Sequence, residues 1–287
     1  MHELGHRFLL QHQFGIINPL QVDKTLWGDL PITPLVPNEL SERASLMPAL
    51  VELEALPLEA RVGLMDRAVT HENNSPHPYF SALLQTEDDV ELVKQRLTER
   101  LILRGSDKKV WLRYFDPRVF RHLTWLLRPE QLWFLLRGMQ QWSWRDEQGH
   151  WLTYDVIKTE AHLNVLRLTP AQWQGLEMLP LLNHCLGVLA VTGHPIDYEA
   201  PMMQQLCAWL NEAKTHYGLK DETDRSVFAI QKMQFGKYLH MHPHMQDRLK
   251  EATQNSGSYQ ELCRTLDNAT LLGYVNTMQQ SQNRERI

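Results

Sequence analysis

Histidine and glutamate side chains near the amino end have the spacing of a zinc site. His2, Glu3 and His6 match the HExxH pattern, in which one helix presents two imidazoles to Zn²⁺ and a glutamate acts as base. His12 stands where a third ligand would follow in one class of zinc peptidases. This set of residues would make the chain a zinc-dependent hydrolase.

Three physical arguments weigh against that hydrolase. Leu9 replaces the glycine that would let the chain turn toward the metal. If the helix continues instead, His12 lies about 240° around the axis from His6 at roughly 100° per residue, so the imidazoles diverge. The pattern also begins at residue 2, where a first turn frays, and no downstream glutamate is marked as a third ligand. We interpret it as a short helix that carries two histidines.

A second group of histidines, His240, His242 and His244, surrounds Pro243. On a strand the three imidazoles would share a face, but the proline and the flanking helical patterns argue against a strand. We expect His240 at the carboxyl end of one helix and Pro243 at the start of the next, with weak surface metal binding as the alternative. The sequence has no GxSxG, GxxxxGK[ST] or GxGxxG motif, so we expect no enzyme and no cofactor.

Composition narrows the class of protein further. The formal charge of −5, without aromatic residues interleaved with lysine and arginine, argues against nucleic-acid binding. Cys185, Cys207 and Cys263 form no CxxC pair and are typical of small buried hydrophobes in a reducing compartment. The amino end lacks the features of a signal peptide, and no apolar stretch is long enough to cross a membrane. We expect a cytoplasmic protein without a membrane partner.

Periodicity predicts an α/β N-terminal lobe, a small mixed sheet with helices, followed by an all-α C-terminal lobe. In the first lobe we predict strands at 49–53, 79–84 and 110–115, helices at 57–69, 88–103 and from 117 and 129, and a hairpin at 140–154. In the second lobe we predict helices from 170 and at 201–216, 223–240, 243–253, 259–266 and 271–279. The corresponding domains are an N-terminal extension at 1–40, an α/β domain at 41–155 and a helical domain at 156–287.

The junction between strand and helix near residue 116 is the most specific local pattern. Side chains at 110–115 alternate between two largely apolar faces, as in a strand covered on both sides. Asp116 is then a good N-cap, and Pro117 suits the first helical position because its missing N–H costs nothing there. The residues therefore predict a structural corner, and Asp116 and Arg118 could in addition meet a partner.

This corner resembles the signature of the type VI secretion effector adaptors, also called effector chaperones, a family of domains of unknown function. The run Arg113-Tyr114-Phe115-Asp116-Pro117-Arg118-Val119 carries the resemblance. Further similar stretches keep the family's order over roughly residues 41–154, and the helical half is similar more loosely. These stretches are residues 45–53, 90–103, 126–132 and 142–151. The first forty residues do not look like the short strand with which family members often begin.

The resemblance implies a non-enzymatic adaptor. Such a protein binds the N-terminal or linker region of a secreted effector in the bacterial cytoplasm and loads it onto the VgrG–PAAR spike. A structural protein of the spike or baseplate is the alternative within the same machine. The positions that the resemblance and the tryptophan-rich hairpin suggest for partner binding are Arg113, Tyr114, Asp116, Arg118, Trp142, Trp144 and Trp151. The three tryptophans serve equally well as contact anchors or as the seal between two domains.

Overall fold

The computed structural model describes residues 4–105, 108–160, 163–254 and 257–285. The chain divides into two compact units, Met1–Gln172 and Trp173–Ile287. The first unit contains the strands and the second is helical, which confirms the predicted fold class. The division falls after Gln172, within a helix that begins at Pro170, whereas the sequence suggested a boundary near residue 155.

Six strands of the first unit form one sheet and two more form a separate hairpin. The strands are β1 (Phe14–Ile17), β2 (Ile32–Pro34), β3 (Ala49–Glu52), β4 (Ala82–Gln85), β5 (Ile102–Arg104), β6 (Lys109–Trp111), β7 (Gln141–Arg145) and β8 (Trp151–Asp155). The sheet order is β2-β3-β1-β4-β7-β8, and β5 pairs with β6. All described pairings are antiparallel, whereas a mixed sheet was expected.

The helices of this unit cover both faces of the sheet. They are α1 (His6–Leu9), α2 (Leu58–Asn74), α3 (Val90–Arg100), α4 (Pro117–Leu126) and α5 (Pro129–Leu135), with 3₁₀ turns at Lys24–Leu26 and Asn38–Leu46. On one face Leu64, Met65 and Ala68 of α2 pack in a core with Leu83. The next residue along β4, Leu84, lies opposite Trp142, whose ring stacks on Phe120 of α4 at 5.3 Å. The central strands of the sheet are therefore buried on both sides, as their apolar residues require.

The first forty residues contribute a central strand, not only an extension. β1 pairs with β3 on one side and with β4 on the other. All four of its residues are buried. The sequence predicted no strand in this segment, because a four-residue apolar run with an internal glycine gives little period-2 signal.

The strand before the corner is shorter than predicted. β6 ends at Trp111, and it pairs with β5 and not with the six-stranded sheet. The backbone N–H of Asp116 donates to the carbonyl of Arg113 at 2.9 Å, which closes a turn. Tyr114 and Phe115 are thus buried in a turn and not on alternating faces of a strand.

The second unit is built from α6 (Pro170–Val191), α7 (Ala200–Thr215), α8 (Glu222–Phe235), α9 (Pro243–Ala252), α10 (Ser258–Cys263) and α11 (Asn268–Glu285). A 3₁₀ turn at Leu239–Met241 precedes α9. Phe228, Leu239 and Tyr259 belong to its buried core. Within the described ranges, no helix combines the length and the apolar character that crossing a membrane would need.

Candidate functional site

Asp116 is the centre of the hydrogen-bonded corner before α4. Its carboxylate accepts from the backbone N–H of Arg118 at 3.0 Å, which confirms the predicted N-cap. The Arg118 side chain also donates to it, through Nε at 3.1 Å and Nη2 at 2.8 Å. Arg113 Nη2 donates to Oδ2 at 3.0 Å. One carboxylate, 2% exposed, thus holds the helix start and two guanidiniums together.

The other signature side chains fix the turn to its surroundings. The Tyr114 hydroxyl donates to the carbonyl of Leu97 in α3 at 2.9 Å, and burial raises the pKa of this phenol. The Arg113 guanidinium lies 5.4 Å from the Trp111 ring centroid and 6.0 Å from that of Phe115. Hydrogen bonding to Asp116 raises the pKa of Arg118, so the guanidinium stays charged. These residues give the corner a structural role, and partner binding by them remains a prediction.

A small cavity of about 120 Å³ lies at this corner. Asp116 and Arg118 line it together with Arg145, Asp146 and Glu147 of the hairpin turn. Glu147 pairs with Arg121 of α4, so an ion pair ties the hairpin to the helix. The sequence did not single out Glu147, because its partner lies far away in the chain and only the fold brings them together.

Arg145 of the hairpin forms a second ion pair. Arg145 Nε lies 3.3 Å from Glu72 Oε2 of α2. Burial raises the pKa of Glu72 and the charge of Arg145 opposes that shift. Both side chains are largely buried, so removing either one would leave the other as an unpaired buried charge.

The three tryptophans of the hairpin are buried within the first unit. Phe120 contacts both Trp142 and Trp144, with centroids 5.3 and 4.9 Å apart, which confirms that these two share a face. Trp151 packs on the opposite face, in the core that includes Phe8. The ring centroids of Trp151 and Phe8 are 5.9 Å apart. Trp142 and Trp151 are 0% exposed and Trp144 is 8% exposed. In this state they are core residues, and a contact role for them remains a prediction.

His12 does not serve as a metal ligand in this structure. Its Nδ1 lies 2.9 Å from the carbonyl oxygen of Phe8 and its Nε2 lies 3.0 Å from Ser143 Oγ, so both ring nitrogens are engaged. His2 and Glu3 lie outside the described residues. His6 Nε2 lies 3.9 Å from Asp66 Oδ1. The ranges that the structure describes hold no group of three or more residues arranged for a metal ion.

The second histidine group is divided between core and surface. His240 is buried, with Nε2 3.1 Å from Gln231 Oε1, and burial lowers its pKa to about 3. His242 stacks on Tyr274 at 4.0 Å between centroids, and Pro243 begins α9 as predicted. Since His240 points into the helical core, the three imidazoles do not present one shared set of ligands.

The cysteines form no disulfide. Burial raises the pKa of Cys185 and of Cys207 to about 11 in each case. These two thiols therefore stay protonated at neutral pH and are poor nucleophiles.

The described part of the chain thus has an α/β unit whose signature residues hydrogen-bond to one another. Its helical unit has the hydrogen-bonded pair His240 and Gln231 in the core. A family model described as a domain of unknown function (DUF4123) matches residues 35–133, about a third of the chain. The chain is similar to that family from before β3 through the corner and into α5. Neither the curated proteins nor the solved structures contain a match.

Proposed function

We propose that the chain is a non-enzymatic adaptor that binds a type VI secretion effector and loads it onto the VgrG–PAAR spike. The observation that carries this proposal is the match of residues 35–133 to DUF4123, a family associated with such adaptors. The matched range contains the whole signature, from Arg113 to Val119. The resemblance of further stretches, in the same order along the chain, supports the same assignment.

The geometry of the signature supports a binding protein over a catalyst. Asp116 is saturated by a helix N-terminus and two arginines, so it has little capacity left to act as an acid or a base. The engagement of His12 through both ring nitrogens also weighs against the zinc hydrolase. A corner of this kind holds neighbouring elements in place, as a binding protein with a fixed surface requires.

The test is co-expression of the full chain with a type VI secretion effector of the same bacterium. We expect affinity capture to yield a stable complex, and light scattering after size exclusion to give its stoichiometry. We also expect the partner to lose solubility when the chain is omitted. A soluble partner and a chain that stays alone in solution would contradict the adaptor function.

The structural alternative, a part of the spike or baseplate, differs in the partner that it needs. A parallel capture with the spike proteins, in the absence of any effector, separates the two functions. An adaptor is expected to bind the effector without the spike. A structural component is expected to bind the spike and to ignore the effector.

A further inference from the structure

An open cavity of about 570 Å³ lies in the first unit, on the side of α3 that faces the 3₁₀ turn at Asn38–Leu46. Its volume is in the range of natural ligand pockets. We call it the arginine groove and define it by Val36, Thr98, Arg100, Phe134, Arg137 and Val165, which are among the residues that line it. These residues come from separate parts of the chain and meet only in the folded unit.

Two guanidiniums in the arginine groove have no carboxylate partner among the described residues. Arg100 Nη1 donates to the carbonyl of Arg137 at 3.3 Å, and Arg137 Nη2 donates to the carbonyl of Leu163 at 3.0 Å. Both guanidiniums also lie over the Phe134 ring, at 5.8 and 5.4 Å from its centroid. Their charges are thus held by neutral groups, unlike that of Arg96, which pairs with Asp88.

Unsatisfied polar atoms accompany these charges. Arg137 Nε and Thr98 Oγ1 are buried and have no hydrogen-bond partner. Burial lowers the pKa of Arg100, the charges of Arg96 and Arg137 lower it further, and Tyr114 and the charge of Glu99 oppose that shift. A partly buried pair of like charges is costly, and a bound carboxylate would relieve that cost.

The arginine groove continues along α3 into a second cavity of about 490 Å³. The two cavities share Val36, Thr98 and Glu99, and the second is also lined by the charged side chains of Asp89, Glu91 and Lys94. The eleven residues of α3 span roughly 16 Å, which is the length of about five residues of extended chain. The cleft is therefore long enough for a short peptide, with Arg100 and Arg137 at one end and the carboxylates of Asp89 and Glu91 at the other.

The mode of binding follows from the wall opposite α3. β2 is an edge strand of the sheet, but its last residue, Pro34, has no N–H to offer an added strand. Apolar surface is available instead, since Val165 is 51% exposed at the groove. A guanidinium fork matches the two oxygens of a carboxylate, so recognition by side chains is favoured over strand addition.

We propose that the arginine groove binds an extended segment of a partner protein that places acidic side chains on Arg100 and Arg137 and apolar side chains beside Val165. This inference rests on the proposed function, since it names the surface with which the adaptor would hold its effector. Arg104, which also lines the cavity, already pairs with Glu39 at 2.6 Å and is not needed for the contact.

The test uses the full chain and a fluorescein-labelled hexapeptide with two adjacent glutamates at one end and leucine and serine in the rest. Fluorescence anisotropy is expected to show binding that weakens when the NaCl concentration rises from about 50 to about 500 mM. The same peptide with glutamine in place of both glutamates is expected to bind about tenfold more weakly or worse. An acidic peptide that does not bind overturns the proposal.

Variants of the groove residues test where on the chain the peptide binds. Arg100→Gln combined with Arg137→Gln is expected to weaken acidic-peptide binding about tenfold or more. Arg61→Gln is the matched control, because Arg61 also donates to backbone carbonyls, those of Leu56 and Glu54, but lies outside the groove. Val165→Glu adds a carboxylate at an exposed position beside the arginines and is expected to abolish binding without removing either arginine. Binding that none of these groove variants changes overturns the proposal.

Capture of the effector separates this proposal from the proposed function. If the wild-type chain captures the effector and the double arginine variant captures it equally well, the groove proposal fails and the adaptor function stands. If the groove binds the acidic peptide but the chain captures no effector, the adaptor function fails alone. Melting curves of each variant establish that it is folded.

Discussion

The buried carboxylate of Asp116 explains in structural terms why three positions of the signature occur together. The same side chain caps α4 and binds Arg113 and Arg118, so each of the three positions constrains the other two. The sequence predicted the cap, because the cap is local. It did not predict the contact between the Tyr114 hydroxyl and the Leu97 carbonyl, which spans two elements.

Asp116→Asn keeps an oxygen for the helix cap but removes the charge that two arginines share. Both guanidiniums are partly exposed and screened, so we expect the free energy of unfolding to fall by roughly 2 kcal/mol, measured by urea denaturation. Asp89→Asn is the control, because Asp89 caps α3 at an exposed site by accepting from the Leu92 N–H. It should change stability by less than about 0.5 kcal/mol. Equal losses in the two variants would contradict a role for the charge.

His240 links the stability of the helical unit to pH. Burial lowers its pKa to about 3, so the folded chain stays unprotonated there while the unfolded chain binds a proton below its ordinary pKa. The unfolded state therefore binds more protons between about pH 6.5 and 3, and stability falls as the pH decreases through that window. The nearby charge of Lys232 lowers the pKa further.

The ring centroids of His240 and Phe228 are 4.1 Å apart. His240→Phe keeps an aromatic ring at this position and removes the titratable imidazole. We expect the wild type to lose about 2 kcal/mol more than this variant between pH 7 and pH 5. Urea denaturation at both pH values, followed by circular dichroism, measures the difference. His216→Phe, at an exposed histidine, serves as the control and should leave the pH dependence of the wild type intact. Identical pH dependence in His240→Phe and the wild type would contradict the assignment.

At the scale of elements, local signals and long-range pairing differ in what the sequence reveals. Helix α4 was predicted because an N-cap aspartate and a first-turn proline mark its start. β1 was missed because its place between β3 and β4 depends on residues far away in the chain. The arginine groove was missed for the same reason, since Arg100 and Arg137 lie on different elements and share no motif.

Gly15 tests the central position of β1. A Cβ built on this residue would lie 2.6 Å from Cδ1 of the buried Phe80 ring, so Gly15→Ala forces that ring to move. We expect a loss of roughly 1–3 kcal/mol in the free energy of unfolding, measured with urea. Gly63→Ala is the control, because Gly63 is helical with open space around it and should gain roughly 0.5–1 kcal/mol. A neutral Gly15→Ala would contradict the close packing of β1 against Phe80.

At the scale of the whole molecule, charge is distributed unevenly. The chain carries a net charge of −5, yet in the arginine groove Arg100 and Arg137 bond to backbone carbonyls while Arg104 pairs with Glu39. An acidic side chain would be attracted to Arg100 and Arg137 against the net negative charge of the chain, which favours specificity of location. The family model covers part of the unit that holds the groove and none of the helical unit.

The metal content of the whole chain discriminates between adaptor and hydrolase. Because His12 binds Phe8 and Ser143 through its two nitrogens, the amino-terminal histidines lack their proposed third ligand. We expect mass spectrometry of the full chain, purified without a histidine tag, to find well under one zinc per chain. EDTA should leave the melting midpoint unchanged, and His12→Gln should lower it with or without EDTA. One zinc per chain that His6→Ala removes would contradict this expectation and restore the hydrolase.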